Sequence, residues 1–328
     1  MVSPYIGFRN DGADGADGAD GADGADGADG ASSTFGVSGL AAYSGKRTSP
    51  LLAQALWSTQ GGITLNVPGT PDTNKGAVNA ANRFERWSPD VRGQQYEFEL
   101  LSGLKFNSAA GTGALTFGDG VNPDPFALPA PSFETSAQTL TDALDDVIEM
   151  AALRQDRMNE ILTQVAVPYS FFAMVLNLQP GRHRYTYELM AAMFRMSTVV
   201  VMQFKHYWGI RRPSDRSALV QPVLLTPGHG TYPAGHSTQS YFVAEVLKAL
   251  VKGQTGHDNE TNTELDKLAW RIGENRIVAG LHYREDIVQG GVLGTRLAKY
   301  FLYKATNAAF SASALYWLWD KAAKEQWQ

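Results

Sequence analysis

Lys205-His206-Tyr207-Trp208-Gly209-Ile210-Arg211-Arg212-Pro213, then Pro233-Ala234-Gly235-His236, then Arg276 followed by Gly280-Leu281-His282-Tyr283-Arg284-Glu285-Asp286 are pieces of one stretch, and that stretch decides how the chain is read. Lys205, Arg212 and Arg276 supply three cations, and His236 and His282 two imidazoles, a set that suits a bound oxyanion. Spacing adds geometry. Lys205 and Arg212 are seven apart, nearly two helical turns, so they share a side if the chain stays coiled. Arg276 and His282 are six apart and cannot share a helix face, but Gly280 between them offers a break. His282 and Asp286 are one turn apart, so the carboxylate can accept from one imidazole nitrogen and leave the other aimed into a site. His236 follows Pro233-Ala234-Gly235 at an expected helix start, where backbone N–H groups face outward and favour an anion.

Outward from this stretch, the pattern is helical. Leu140, Leu144, Val147, Ile148 and Ala151 recur at helical spacing, and Met158, Ile161 and Leu162 continue it, which predicts one amphipathic helix over 135–165. Its acids Asp145, Asp146 and Glu149 read as a solvated face. A short apolar piece over 170–178 precedes an almost uniformly apolar run over 185–208, expected as a central buried helix with Lys205 at its end. Further helices are expected over 235–250, from Thr263 (with Asp266 as a capping pair) to near Gly280, over 284–303 and over 311–324. The expected fold is all-α, a bundle of six or seven helices over 132–328.

The N-terminal part has a different character. Asp11 to Ala31 repeats Asp-Gly-Ala with a period of three and no proline, so residues 1–31 read as a flexible acidic spacer rather than collagen. Residues 32–131 are rich in Gly, Asn, Thr and Pro and read as an irregular covering layer with short extended segments, Tyr96–Leu101 among them. Seven of the 33 acidic residues lie in the repeat; outside it, 26 acids face 28 bases. The formal charge of −5 therefore belongs to the tail, and no basic field argues for nucleic acid. The absence of cysteine excludes disulfides, thiolate metal sites and a cysteine nucleophile. The start lacks a basic segment followed by an apolar run, and no stretch of about 18 uninterrupted apolar residues occurs. A soluble, cytoplasmic protein without a transmembrane span is the expectation.

The ordered set Lys205-x6-Arg212-Pro213, Pro233-Ala234-Gly235-His236 and Arg276-x5-His282-x3-Asp286 resembles the three-part signature of the superfamily of type 2 phosphatidic acid phosphatases, bacterial class A acid phosphatases and vanadium-dependent haloperoxidases. The resemblance implies that Lys205, Arg212, Arg276 and the Gly235 N–H bind phosphate or vanadate, and that His282, His236 and Asp286 are catalytic. For a phosphatase it implies that His282 attacks phosphorus to form a phosphohistidine, oriented by Asp286, while His236 protonates the leaving oxygen; no metal or other cofactor is then required. For a haloperoxidase it implies vanadate as cofactor, ligated by His282. His229, seven residues before His236, matches a second histidine of the bromide-oxidising haloperoxidases and is an accessory candidate. The family motif has serine where this chain has Ala234, which removes one hydrogen bond of roughly 1–2 kcal/mol.

From sequence, the first expectation is a metal-independent phosphoric ester hydrolase acting on a small phosphorylated substrate or lipid head group. The alternative is a vanadate-dependent haloperoxidase, and the third is a degenerate anion-binding domain. An isolated cation near a helix end is more often a partner of the helix dipole than a ligand contact. The ordered set is what argues for function.

Overall fold

The computed structural model describes residues 84–327 apart from 109–114, 119–125, 166–167, 253 and 255–258. The Asp-Gly-Ala repeat and the part of the 32–131 region before residue 84 lie outside the described residues. In chain order the elements are α1 (Pro89–Leu101), β1 (Lys105–Ser108), β2 (Leu115–Gly118), β3 (Phe126–Ala127), α2 (Ala137–Met150), α3 (Arg154–Thr163), α4 (Tyr169–Leu176), α5 (Arg184–Trp208), the one-turn α6 (Pro213–Arg216), α7 (Gly235–Val251), α8 (Asn259–Val278), α9 (Arg284–Thr306) and α10 (Ala314–Ala323). The protein is all-α, with β1, β2 and β3 forming a small antiparallel ribbon in that order.

At the centre α7 packs along α9 and against α8 and α5. The approach of α7 to α9 depends on small residues. A Cβ on Gly294 would lie 2.4 Å from the Thr238 carbonyl oxygen, and one on Gly290 would lie 2.7 Å from that of Ala234. Backbone therefore meets backbone along this seam, which holds the first turn of α9, with Asp286, beside the first turn of α7. The main core draws Phe194, Phe204, Phe242, Leu247, Leu297 and Phe301, among others, from α5, α7 and α9. A smaller cluster of Phe133, Val147, Val220, Ile277, Tyr283 and Ile287 backs the loops that carry the charged residues.

Three local expectations change. The 135–165 helix is interrupted by a 3-10 turn at Ala151–Leu153. The tighter turn lets Val147 face the smaller cluster while Ile161 joins Val278, Ala279 and Leu281 in a third. Tyr96–Leu101 is not extended but the second half of α1, which starts with Ser88 as N-cap and Pro89 in its first turn. Its buried residues Arg92, Tyr96 and Leu100 are four apart, a helical spacing, and Phe98 between them is 67% exposed. Third, α8 begins at Asn259, one turn before Thr263, whose hydroxyl donates to the Asn259 carbonyl at 2.9 Å.

α1 is firmly joined to the bundle. Arg92 makes a two-pronged bond to Glu188 of α5 (Nε–Oε1 2.6 Å, Nη2–Oε2 2.9 Å), and Tyr96 donates to the same carboxylate at 3.0 Å. Glu99 accepts from the Ala314 and Leu315 N–H groups at the start of α10.

Candidate active site

The three sequence pieces converge. α5 ends at Gly209, which takes a left-handed conformation (φ 58°), so the chain does not stay coiled from Lys205 to Arg212. The two cations come together through the following loop instead. The Lys205 ammonium, 2% exposed, donates to the Gly230 and Thr231 carbonyls at 2.8 and 3.0 Å. Arg212, equally buried, donates from Nε to the His229 carbonyl at 3.1 Å and from Nη1 to the Leu281 carbonyl at 3.1 Å. Its Nη2 stands 3.2 Å from His229 Nδ1. The loop histidine is thus partly buried beside a pocket cation rather than solvated.

Gly280, at φ 82°, supplies the break after α8 that the Arg276–His282 spacing requires. Beyond it His282 and Asp286 pair as the one-turn spacing implies: Nδ1 lies 3.0 Å from Asp286 Oδ2. The same carboxylate oxygen accepts from the Tyr283 N–H at 3.0 Å and from the Thr231 hydroxyl. With the Nδ1 proton held by this carboxylate, the lone pair of His282 is on Nε2, the form needed in either a nucleophile or a ligand. Burial, followed by the nearby Lys205 and Arg212 charges, holds the His282 imidazolium well below its usual range, so the ring is neutral. Burial pushes Asp286 up to about 6 against the opposing hydrogen bonds from Thr231 and Tyr283.

Ala234 is the N-cap of α7 and has no side-chain capping bond; its N–H donates to the Asp286 main-chain carbonyl at 3.0 Å. Gly235 and His236 open that helix. His236 Nε2 lies 2.9 Å from the carbonyl of Gln164, at the end of α3. Burial, then the charges of Arg276 and Lys205, lower its pKa to about 3. Arg276 is completely buried, and its Nη2 donates to the Ile161 carbonyl at 3.1 Å and to Gln164 Oε1 at 3.3 Å. Its Nε and Nη1 have no acceptor among the described residues, and burial depresses the guanidinium to about 10.

Lys205, Arg212, Gly235, His236, Arg276, His282 and Asp286, with His229 beside Arg212, therefore sit in one neighbourhood built from four polar segments. Two participants had no sequence signal of their own. Thr231 reaches Asp286 across 55 positions, and Gln164 reaches His236 across 72. The acid cluster of α2 takes a different part: Asp146 pairs with Arg284 at 2.8 Å.

The residues fit a tetrahedral oxyanion. Arg276 has two buried N–H-bearing nitrogens without an acceptor among the described residues, which a multivalent anion would satisfy. Among the described residues no group of three or more His, Cys, Asp or Glu is arranged to hold a metal cation, and no helix is long and apolar enough to cross a membrane.

No protein-family model matches the chain. It is 31% identical over 109 residues to the vanadium-dependent bromoperoxidase of Ascophyllum nodosum, a match that takes in 26% of this chain and a fifth (20%) of that protein. The crystal structure of a transmembrane PAP2 type phosphatidylglycerolphosphate phosphatase from Bacillus subtilis overlaps 53% of this chain and 90% of its own, with a TM-score of 0.42 and 20% identity. In this stretch of sequence the chain is thus similar to a vanadium-dependent bromoperoxidase, of which it spans about a fifth of the length.

Proposed function

We propose that the chain is a vanadate-dependent haloperoxidase that oxidises halide with hydrogen peroxide. The observation that carries this choice within the superfamily is the placement of His229: the second imidazole, seven residues before His236, lies 3.2 Å from Arg212 rather than out in solvent. The sequence match to a vanadium-dependent bromoperoxidase points the same way. Lys205, Arg212, Arg276 and the Gly235 N–H would hold the oxygens of the anion, and His282 Nε2 would be its ligand. Asp286 keeps the His282 proton on Nδ1, and Thr231 keeps Asp286 in place. Vanadate, when bound, supplies a Lewis-acidic centre at which peroxide reacts with halide. Burial and the charges of Arg276 and Lys205 keep His236 neutral, and the negative charge of an anion would raise its proton affinity, which equips it to accept a proton from an incoming peroxide.

A second reading rests on the Asp286–His282 pair, because a neutral, oriented Nε2 equally suits attack on phosphorus. In it the chain is a metal-independent phosphoric ester hydrolase: His282 forms a phosphohistidine and His236, protonated once the phosphate dianion is bound, gives its proton to the leaving oxygen. Paired assays separate the two. Bromination of a phenolic dye by peroxide and bromide is expected to rise with added vanadate while hydrolysis of p-nitrophenyl phosphate stays low, and His282→Ala is expected to lower bromination at least about a thousandfold. Vanadate-inhibited, chelator-resistant hydrolysis with no bromination would select the phosphatase instead.

A further inference from the structure

Gln164 touches both pocket groups that face α3. Its main-chain carbonyl meets His236 Nε2 at 2.9 Å, and its side-chain Oε1 accepts from Arg276 Nη2 at 3.3 Å and from Asn275 Nδ2 at 2.9 Å. Those two donors fix the amide's orientation, because a flipped amide would set N–H against N–H. The amide nitrogen, Nε2, is then left without an acceptor among the described residues, although Gln164 is 0% exposed. Arg276 Nε and Nη1 are in the same condition on the adjoining side chain. Three open donors on two bonded, fully buried side chains are unusual, since interiors leave few polar atoms unsatisfied and each one is costly. One acceptor with several lone pairs, shared between them, accounts for all three.

We propose that Gln164 is an additional oxyanion-binding residue, its side-chain amide donating a neutral hydrogen bond to the anion that Arg276 binds. Asn275 and, behind it, Glu160 hold the amide in this orientation: Asn275 Nδ2 also donates to Glu160 Oε2 at 3.0 Å, and Glu160 is held in turn by Arg271 at 2.7 Å. The inference rests on the anion pocket of the proposed function and not on the choice between vanadate and phosphate.

Calorimetric titration with orthophosphate and with orthovanadate tests it, alongside a crystal structure of the wild-type protein with orthophosphate. Gln164→Met is expected to weaken both anions about five- to tenfold. Gln164→Glu, which keeps an acceptor for Asn275 and Arg276 but puts negative charge where the donor was, is expected to weaken them further. In the crystal, Nε2 should lie within about 3.2 Å of a phosphate oxygen. Wild-type affinity in both variants, or a bound phosphate with Nε2 turned away from it, would overturn the proposal while leaving the proposed function standing. If Gln164→Met fails to fold, Gln164→Glu and the wild-type complex still decide. A wild-type protein that binds neither anion would overturn this proposal and the anion pocket together; phosphate binding without bromination would count only against the haloperoxidase.

Discussion

Arg92 and Arg276 are both buried, yet their surroundings differ in kind. Arg92, on the α1–α5 seam, has the Glu188 carboxylate on Nε and Nη2 and the Phe84 and Trp87 carbonyls on Nη1. Burial works to lower its pKa, but the Glu188 bonds outweigh this and hold it above its ordinary value. Arg276 has no carboxylate partner among the described residues and keeps two nitrogens open, and burial pulls it down to about 10. A guanidinium that serves the fold arrives with its counter-charge. Arg276, left open beside the neutral His236 imidazole, is on the proposed function the one whose counter-charge would come from outside.

The sharpest way to break this comparison is to replace each arginine by leucine. Arg92→Leu strands the half of a buried pair that remains, Glu188, and is expected to cost about 3–5 kcal/mol of stability, read as a drop in denaturation midpoint. Arg276→Leu removes a buried charge that has no carboxylate partner, so its stability is expected within about 2 kcal/mol of wild type. Its orthovanadate affinity should fall on the order of a hundredfold, as for loss of a desolvated charge-assisted contact. Similar stability losses in the two variants would erase the distinction.

Gly294→Ala tests the seam that positions the pocket without touching it. The new methyl would meet the Thr238 carbonyl oxygen at 2.4 Å, so α7 and α9 must separate, at an expected cost of about 1–3 kcal/mol. Because the seam sets Asp286 beside α7, anion affinity is expected to fall too, in contrast to Arg92→Leu. Wild-type melting in the Gly294→Ala variant would show that the seam is looser than its geometry implies.

The pocket's titrations give a smaller effect. His236, lowered to about 3, and His282, also lowered, stay neutral in the fold, while unfolded histidines take up protons below about 6.5. Their contribution, fully present above 6.5, is therefore lost as pH falls towards 3. Asp286, raised to about 6, acts oppositely: between about 6 and 4 it is protonated in the fold and ionised when unfolded, so it adds stability as pH falls. Two imidazoles against one carboxyl leave a net loss on the order of 2 kcal/mol between pH 7.5 and 5. Urea midpoints at the two pH values measure it, and His236→Ala should reduce the difference.

The two regions were also unequally legible in the sequence. Lys205, Arg212, Arg276, His236, His282 and Asp286 could be grouped because their chemistry is restricted and their spacings are local rules: one turn from His282 to Asp286, and a helix break at Gly280. The path was not always the expected one, since Lys205 and Arg212 meet through a loop after Gly209 rather than along one helix. Gln164 and Thr231 were not legible, because a glutamine at a helix end and a threonine before Tyr232-Pro233 acquire meaning only from partners far along the chain. At the Arg92 seam, the alternation Tyr96-Glu97-Phe98-Glu99-Leu100 imitates a strand. The Ser88-Pro89 start and the four-residue spacing of Arg92, Tyr96 and Leu100 carried the correct signal. Burial of those three against α5 and its neighbours settled the matter.

The most direct measurement is the melting temperature of the wild-type protein and of Arg276→Leu as orthovanadate is raised. A ligand that binds only the folded state stabilises it by about 2.7 kcal/mol at a hundred times its dissociation constant. The wild-type melting temperature is expected to climb with the logarithm of vanadate concentration once the site is filled, and that of Arg276→Leu to stay flat over the same range. A wild-type protein whose melting does not respond to millimolar vanadate, or an Arg276→Leu variant that responds as strongly as wild type, would contradict an oxyanion site built around Arg276.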